Sequence, residues 1–587
     1  MIRIPRAPCA LLALSLAAPA ALAQFNNDWV EFTPASGRIV DSNGASAIGI
    51  LNDGVERDFA AGDLNGDGWT DLVIVRKTQA LSFNPPAQFL LMNEGGILVD
   101  RTAQFASASD VPGGLGFFDQ TTNRSAQIVD VNLDGWPDLV TCGFSYTPRV
   151  YINQGRVNGV WLGLRHEQGR IPPFAQTPFF NAVAVGDVDG DGAPDLYLAN
   201  AGFTGDRLLM NDGNGNFSDS GTTRLTTTML MVGESTSVNL LDMNMDGLLD
   251  VVRGYGGGCS IAYNTPATPG YFSTANYQVG VNLNGSTYNT DAGDLNRDGR
   301  PDVVFTDDGA DNYRFNLSTN AQEQAEFGPI HLYDFLTGND QDWGGSIRIA
   351  DLDGDGWPET LHSSLDVSAP TCSLRLHIYH NLGGNPGDEI VLREEAESAN
   401  SGWRGVKGML PADMAATADV ATLDLDNDGD LDLVLARCSG TFVWINQKVT
   451  TPTASTFAYG STNANSTGQR ARISASGTPG ASVNDFVLSA DRLPALKTTI
   501  FLYGSSRLWH SVPFGDGKRW VGPPIQRLPV VTSDASGVAS FPCDFTSGPL
   551  STILIGAERD AQAWFRDPGA GAGHSNTTPA IAFWRVD

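Results

Sequence analysis

The chain has 587 residues, with 66 Asp and Glu against 36 Lys and Arg, and a formal net charge of −30. That balance excludes a basic face for nucleic acid, and the length exceeds what one core of ordinary size supports, so at least two domains or a repeat array are expected. Abundant Gly (66) and Pro (32), 41% hydrophobic residues and only 17% charged ones describe a turn-rich, all-β chain rather than a helical one.

The N-terminus reads as a processing segment. Arg3 and Arg6 precede an apolar run from Leu11 to Ala20, and Ala21 and Ala23 form a small-x-small cleavage site. Residues 1–23 are therefore expected to be a signal peptide cleaved near Ala23, and the mature protein to be secreted, periplasmic or at the cell surface. No later apolar run is long enough to span a bilayer as a helix.

Beyond that segment the chain repeats a nine-residue acidic loop. Its first copy sets Asp63, Asn65 and Asp67 at positions 1, 3 and 5, Gly68 at position 6, Trp69 at position 7 and Asp71 at position 9. Alternating oxygen-bearing side chains before a sharp Gly turn, closed by the position-7 carbonyl and a last carboxylate, suit a hard cation such as Ca²⁺, which takes about six to eight oxygen ligands. The second copy has Asp130, Asn132, Asp134, Trp136 and Asp138 at positions 1, 3, 5, 7 and 9, and the third Asp187, Asp189, Asp191, Ala193 and Asp195. The fourth has Asp242, Asn244, Asp246, Leu248 and Asp250, and the fifth Asp294, Asn296, Asp298, Arg300 and Asp302. The sixth has Asp351, Asp353, Asp355, Trp357 and Glu359, and the seventh Asp424, Asp426, Asp428, Asp430 and Asp432. Up to seven structural Ca²⁺ are expected, which would bring −30 to −16. By carboxylate number, loops three, six and seven should hold the ion most tightly. EF-hands are a poor fit: position 12 of the first loop is Ile74, and the flanks read as strands.

The loops start 52 to 73 residues apart, a period that means a solenoid, a propeller or an array. Each lies between a short apolar stretch and a strand-like run, and a third strand then ends in Asn: Asn93, Asn153, Asn211, Asn264, Asn316, Asn381 and Asn446. Four short strands per unit make a propeller blade. The seventh unit stops after Asn446 without a fourth strand, and the segment Trp29 to Phe32 resembles fourth strands elsewhere, so the N-terminus is expected to complete the last blade.

The D-x-[DN]-x-D-G-x-x-[DE] loop followed by the Asn-ended strand resembles the FG-GAP/VCBS repeat family, which includes the integrin α-chain propeller and many exported bacterial proteins. The resemblance covers residues 24–448 and implies a seven-bladed β-propeller with Ca²⁺ in the first hairpin of each blade, held by the residues named above. Glu359 departs from the pattern as a longer carboxylate at position 9.

Residues 449–469, rich in Thr, Ser, Asn and Pro, read as a linker. Residues 470–587 alternate in seven short strands and predict a β-sandwich-like domain, similar to C-terminal domains of other secreted bacterial proteins. Its tryptophans, Trp509, Trp520, Trp564 and Trp584, read as core rather than a carbohydrate platform. Trp69, Trp136 and Trp357 read as packing between blades.

Long insertions follow the second strands of blades 1 and 6, and the longest connection joins blades 6 and 7. A binding patch opposite the acidic loops is therefore expected, including Phe83, Asn84, His362, Trp403, Arg404 and Lys407. Cys372 and Cys438 fall in neighbouring connections and are expected to pair in an oxidising compartment. No catalytic motif is evident, and His377 and His380 should point to opposite faces of one strand. The expectation is a non-enzymatic binding or adhesion module for an extracellular protein or carbohydrate. The alternative is a lyase-like, polysaccharide-degrading enzyme on the same scaffold, which a cluster of Lys, Arg, Tyr or His in the central funnel would favour.

Overall fold

The computed structural model describes residues 29–45, 57–77, 87–175, 178–202, 205–231, 235–282, 287–307, 310–333, 343–365, 375–394, 406–447, 456–459, 462–504, 506–522, 525–553, 558–569 and 574–585. Strands dominate, and each acidic loop joins the first two strands of an antiparallel sheet. In the third sheet these are Phe180–Gly186 and Asp195–Asn200, followed by Arg207–Asn211 and Phe217–Asp219 in spatial order. The same order starts the first sheet at Arg57–Gly62, the second at Thr122–Val129, the fourth at Ser235–Leu241, the fifth at Thr287–Gly293, the sixth at Trp343–Ala350 and the seventh at Thr417–Leu423. The seventh sheet takes its fourth strand from the start of the chain: Phe32–Pro34 pairs antiparallel with Gly440–Asn446, with Phe32 opposite Asn446.

The apolar side chains explain how the sheets assemble. The second strands are buried on both faces, as in Leu72, Val73, Ile74 and Val75, and one core cluster lies between each successive pair of sheets. Leu72 and Ile74 share a cluster with Leu423 and Val434, across the first and seventh sheets. Leu196 and Leu198 share another with Val140 and Ile152, across the third and second. The first strands of successive sheets lie against one another, and that of the seventh lies against that of the first. Each sheet is open, and the circuit is made by packing between sheets.

The C-terminal segment has its own core. Thr456–Tyr459, Ser575–Trp584, Glu558–Arg566 and Thr498–Gly504 form one sheet, and Arg472–Ser476, Val487–Asp491 and Ala539–Pro542 a second. Phe501, Ala563 and Phe583 of the first sheet pack on Ile473, Leu488 and Ala539 of the second. One sequence expectation changes here. Thr456–Tyr459, inside the expected linker, pairs with residues 580–583, because its Phe-Ala-Tyr alternation fits an edge strand. A 3₁₀ turn, Pro549–Thr552, starts at Pro, and the strand expected over residues 553–555 lies largely outside the described residues. Trp520 and Trp564 are partly buried against Leu502, Val521 and Ala580, whereas the side chains of Trp509 and Trp584 lie outside the described ones.

Candidate metal loops and the circuit that holds them

All seven loops adopt one conformation, set by backbone donors and position-specific turns. Position 6 is Gly in every copy, with φ between 84° and 100° (Gly68, Gly135, Gly192, Gly247, Gly299, Gly356, Gly429), a region that side chains disfavour. Its N–H donates to Oδ2 of the position-1 Asp at 2.6–3.1 Å. The position-7 N–H donates to Oδ1 of the position-5 Asp at 2.8–3.2 Å. Position 4 is also left-handed throughout, from Leu133 at 59° to Gly190 at 80°, a requirement the side-chain pattern does not reveal.

The position-9 carboxylates Asp71, Asp138, Asp195, Asp250, Asp302, Glu359 and Asp432 are all 0% exposed. One oxygen accepts the N–H of position 2 at 2.8–3.1 Å. The other accepts the N–H of the strand-three Asn at 2.7–3.3 Å. The longer Glu359 makes both bonds, so its extra methylene is accommodated. Each carboxylate thereby ties its loop to the third strand and keeps lone pairs for a cation.

The Asn side chains extend that tie to the next sheet. Asn153 donates to Leu64 O, Asn211 to Val131 O, Asn264 to Val188 O, Asn316 to Met243 O, Asn381 to Leu295 O and Asn446 to Leu352 O, each reaching the loop of the preceding sheet. Asn93 donates to Leu425 O of the seventh, and all seven bonds measure 2.6–3.0 Å. The bonds therefore run through all seven sheets and return to the first.

The donor set suits a hard cation. Asp187, Asp189 and Asp195 each offer an oxygen within 4.8 Å of the others, as do Asp351, Asp353 and Asp355, and Asp424, Asp426 and Asp432. These groups contain neither His nor Cys, which favours an oxygen-seeking ion over a softer one. Buried oxygens without a hydrogen-bond partner lie in the same loops: Oδ1 of Asp189, Asp351 and Asp426, and both oxygens of Asp430. Burial pushes the carboxyls of Asp71, Asp138, Asp195 and Asp302 up to about 8, with loop carboxylates adding to it and backbone N–H groups opposing it. Such a site favours either protons or a metal ion.

Tryptophans at position 7 brace neighbouring sheets. The Trp136 ring lies between Gly66 of the preceding loop and Gly155, where a Cβ would come within 3.2 Å and 2.9 Å of it. Trp357 is 8% exposed, with Gly383 on its indole and the Arg297 guanidinium 5.3 Å from its ring centre.

Of the patch expected opposite the loops, His362 and Lys407 lie among the described residues, and His362 is buried rather than exposed. His362 lies in the strand Glu359–Leu365, 1% exposed, with Nδ1 2.7 Å from Asp311 and its ring against Tyr333. A partner carboxylate from the preceding sheet made burial possible there. Lys407 is exposed and pairs with Glu31 at 2.8 Å. Phe83, Asn84, Trp403 and Arg404 lie outside the described residues. His377 is buried against Glu394 at 2.9 Å, while His380 stacks on Trp29 with centroids 4.2 Å apart, so the two do not converge. Cys438 is disulfide-bonded, and its expected partner Cys372 lies outside the described residues; Cys142, Cys259 and Cys543 are free and buried.

Among the inner strands, Arg348 sits between Asp419 at 3.2 Å and Asp58 at 3.5 Å. A cavity of about 250 Å³ there is lined by Gln127, Asn239 and Asp291 together with apolar residues.

The fold and loops define an all-β protein of repeated four- or five-stranded sheets, each carrying an acidic loop whose oxygens suit a cation. Residues 130–198, 187–253, 242–305 and 294–361 each match the FG-GAP-like repeat. No curated protein matches the chain in sequence. Among solved structures it is similar to an Agrocybe aegerita lectin described as recognising non-reducing terminal N-acetylglucosamine, with 17% identity, 58% of this chain and 80% of that chain covered, and a TM-score of 0.38. It is also similar to the V. cholerae biofilm matrix protein Bap1, with 12% identity, 82% and 69% covered, and a TM-score of 0.30. A Lactobacillus plantarum protein shares 10% identity over 57% of this chain and 82% of its own, with a TM-score of 0.35. Among the described residues no helix is long and apolar enough to cross a membrane.

Proposed function

We propose that the seven sheets are the blades of a calcium-stabilised propeller, followed by a β-sandwich, and that the exported protein acts as a binding or adhesion module rather than by turnover. The observation that carries this reading is the sevenfold recurrence of one preorganised carboxylate loop, with partnerless buried oxygens in three copies. Residues at positions 1, 3 and 5, with the position-7 carbonyl and the position-9 carboxylate, would hold Ca²⁺, which supplies the positive charge these loops lack. The inner-strand cluster argues against a lyase, since Arg348 is matched by two carboxylates. The partner is an extracellular carbohydrate or protein.

Isothermal titration with Ca²⁺ on chelated protein tests the metal, with up to seven sites expected. A glycan and matrix-protein array, probed with Ca²⁺ and with chelator, tests the module. Absence of calcium uptake, or release of unsaturated products from acidic polysaccharides, would refute the corresponding half of the proposal.

A further inference from the structure

The C-terminal segment reaches back onto two adjacent acidic loops. Lys518, in the strand Gly517–Gly522, places its ammonium 2.9 Å from Oδ2 of Asp187, position 1 of the third loop. The two side chains are 9% and 5% exposed, so solvent and salt screen the pair weakly. The lysine backbone is fixed: its N–H donates to Thr577 Oγ1 at 2.9 Å, and its carbonyl accepts from Gln562 Nε2 at 2.7 Å. One loop further on, Arg470 lies against Gly247, where a Cβ would come within 2.9 Å of its Cδ and Nη1. Two cations of one domain thus cover two neighbouring acidic loops.

We propose that docking of the C-terminal domain through Lys518 and loading of the third loop with a divalent cation exclude one another, so that calcium releases the domain and uncovers this end of the repeats. The inference rests on the calcium reading above. Oδ2 of Asp187 already accepts the Gly192 N–H at 3.1 Å, so Lys518 takes its second lone pair. An ion on that oxygen, at about 2.3–2.6 Å, would lie no more than about 5.5 Å from the ammonium. The divalent ion offers the four carboxylates of the loop twice the charge of the lysine. Without calcium, Lys518 is the counter-ion of Asp187, beside Arg224 on Asp189 of the same loop; with calcium Lys518 is displaced.

The full chain is titrated with Ca²⁺ while small-angle X-ray scattering follows its shape and calorimetry follows metal uptake. The expected result is a compact particle in chelator whose radius of gyration rises as one site fills; this measurement needs no variant. Lys518→Met keeps the apolar stem and removes the charge. It is expected to be undocked already in chelator and to bind calcium about tenfold more tightly at one site. Arg472→Met, which removes an exposed cation of the same domain, should behave like the natural chain. Seven filled sites without a change in scattering, or unchanged affinity at every site in Lys518→Met, would overturn this inference alone. No calcium uptake would overturn it together with the reading on which it rests.

Discussion

Asn211 offers the sharpest test of how the repeats are joined. Its Nδ2 donates to Val131 O of the preceding sheet at 2.8 Å and to Pro194 O at 2.9 Å, while Oδ1 accepts the N–H groups of Gly213 at 3.1 Å and Gly215 at 3.0 Å. The residue is 5% exposed. Asn211→Ala removes all four bonds, and at about 1 kcal/mol each the loss is about 4 kcal/mol, more where water cannot replace the amide. Amide hydrogen exchange of Arg207–Asn211 and Asp195–Asn200, in saturating calcium, reads this as about a thousandfold loss of protection. Asn211→Asp keeps the acceptor but sets a carboxylate against two carbonyls, and should lose nearly as much. The exposed Asn214, two of whose bonds go to Asp212 alone, is the control, and Asn214→Ala should cost less than about 0.5 kcal/mol. Protection in Asn211→Ala within a factor of three of the natural chain would refute the circuit as a source of stability.

The metal-free protein should have an inverted pH dependence. Asp71, Asp138, Asp195 and Asp302 have folded values raised to about 8, with burial the leading cause. The folded state therefore holds protons that the unfolded state has lost; this stability is fully present below about pH 4 and vanishes as the pH rises through about 8. Differential scanning fluorimetry in chelator should give a higher melting temperature at pH 5.5 than at pH 8.5, and calcium should remove the difference. Glu394 behaves in the opposite sense: burial raises its carboxyl, but His377 and Arg375 overcome that and hold it at about 2. Its stabilising share is present above about pH 4.5 and lost as the pH falls through about 2. At neutral pH, Glu394→Ala should cost about 3 kcal/mol in urea unfolding by stranding the buried His377 and the half-buried Arg375. Trp357→Ala should cost about 3–5 kcal/mol in the same assay, from the void it leaves between the fifth and sixth sheets.

How much of this was legible depends on the distance over which each residue acts. The loops and their flanking strands could be read because the pattern is complete within nine residues, and the period-two strands announce themselves. The Asn ending each third strand was visible as a recurring letter, but its role was not. Its acceptor lies 73 to 94 residues earlier in six cases and 332 later for Asn93. The Lys518–Asp187 pair spans 331 residues. His362 was misplaced for the same reason: as a polar residue near a long insertion it reads as exposed, and only Asp311 on another sheet makes it a core residue.

The same limit governs the ranking of the loops. Counting carboxylates singles out the third, sixth and seventh, whose oxygens do converge. Yet the extra acid at position 3 faces a basic side chain in each case. Arg224 is 3.2 Å from Asp189, Arg38 is 3.2 Å from Asp426, and His380, a cation when protonated, is 3.9 Å from Asp353. The first and second loops carry a neutral Asn instead, and Arg156 meets Asn65 through its amide oxygen. In these three loops part of the position-3 charge is therefore spent locally; in the third and sixth the balance comes close to that of an Asn-bearing loop, whereas the seventh keeps a fifth carboxylate in Asp430. Arg38→Met should therefore raise the calcium affinity of one site above the rest, by about tenfold if the pair contributes about 1.4 kcal/mol. If that variant leaves every affinity in place, the extra carboxylates are full ligands and the ranking by number stands.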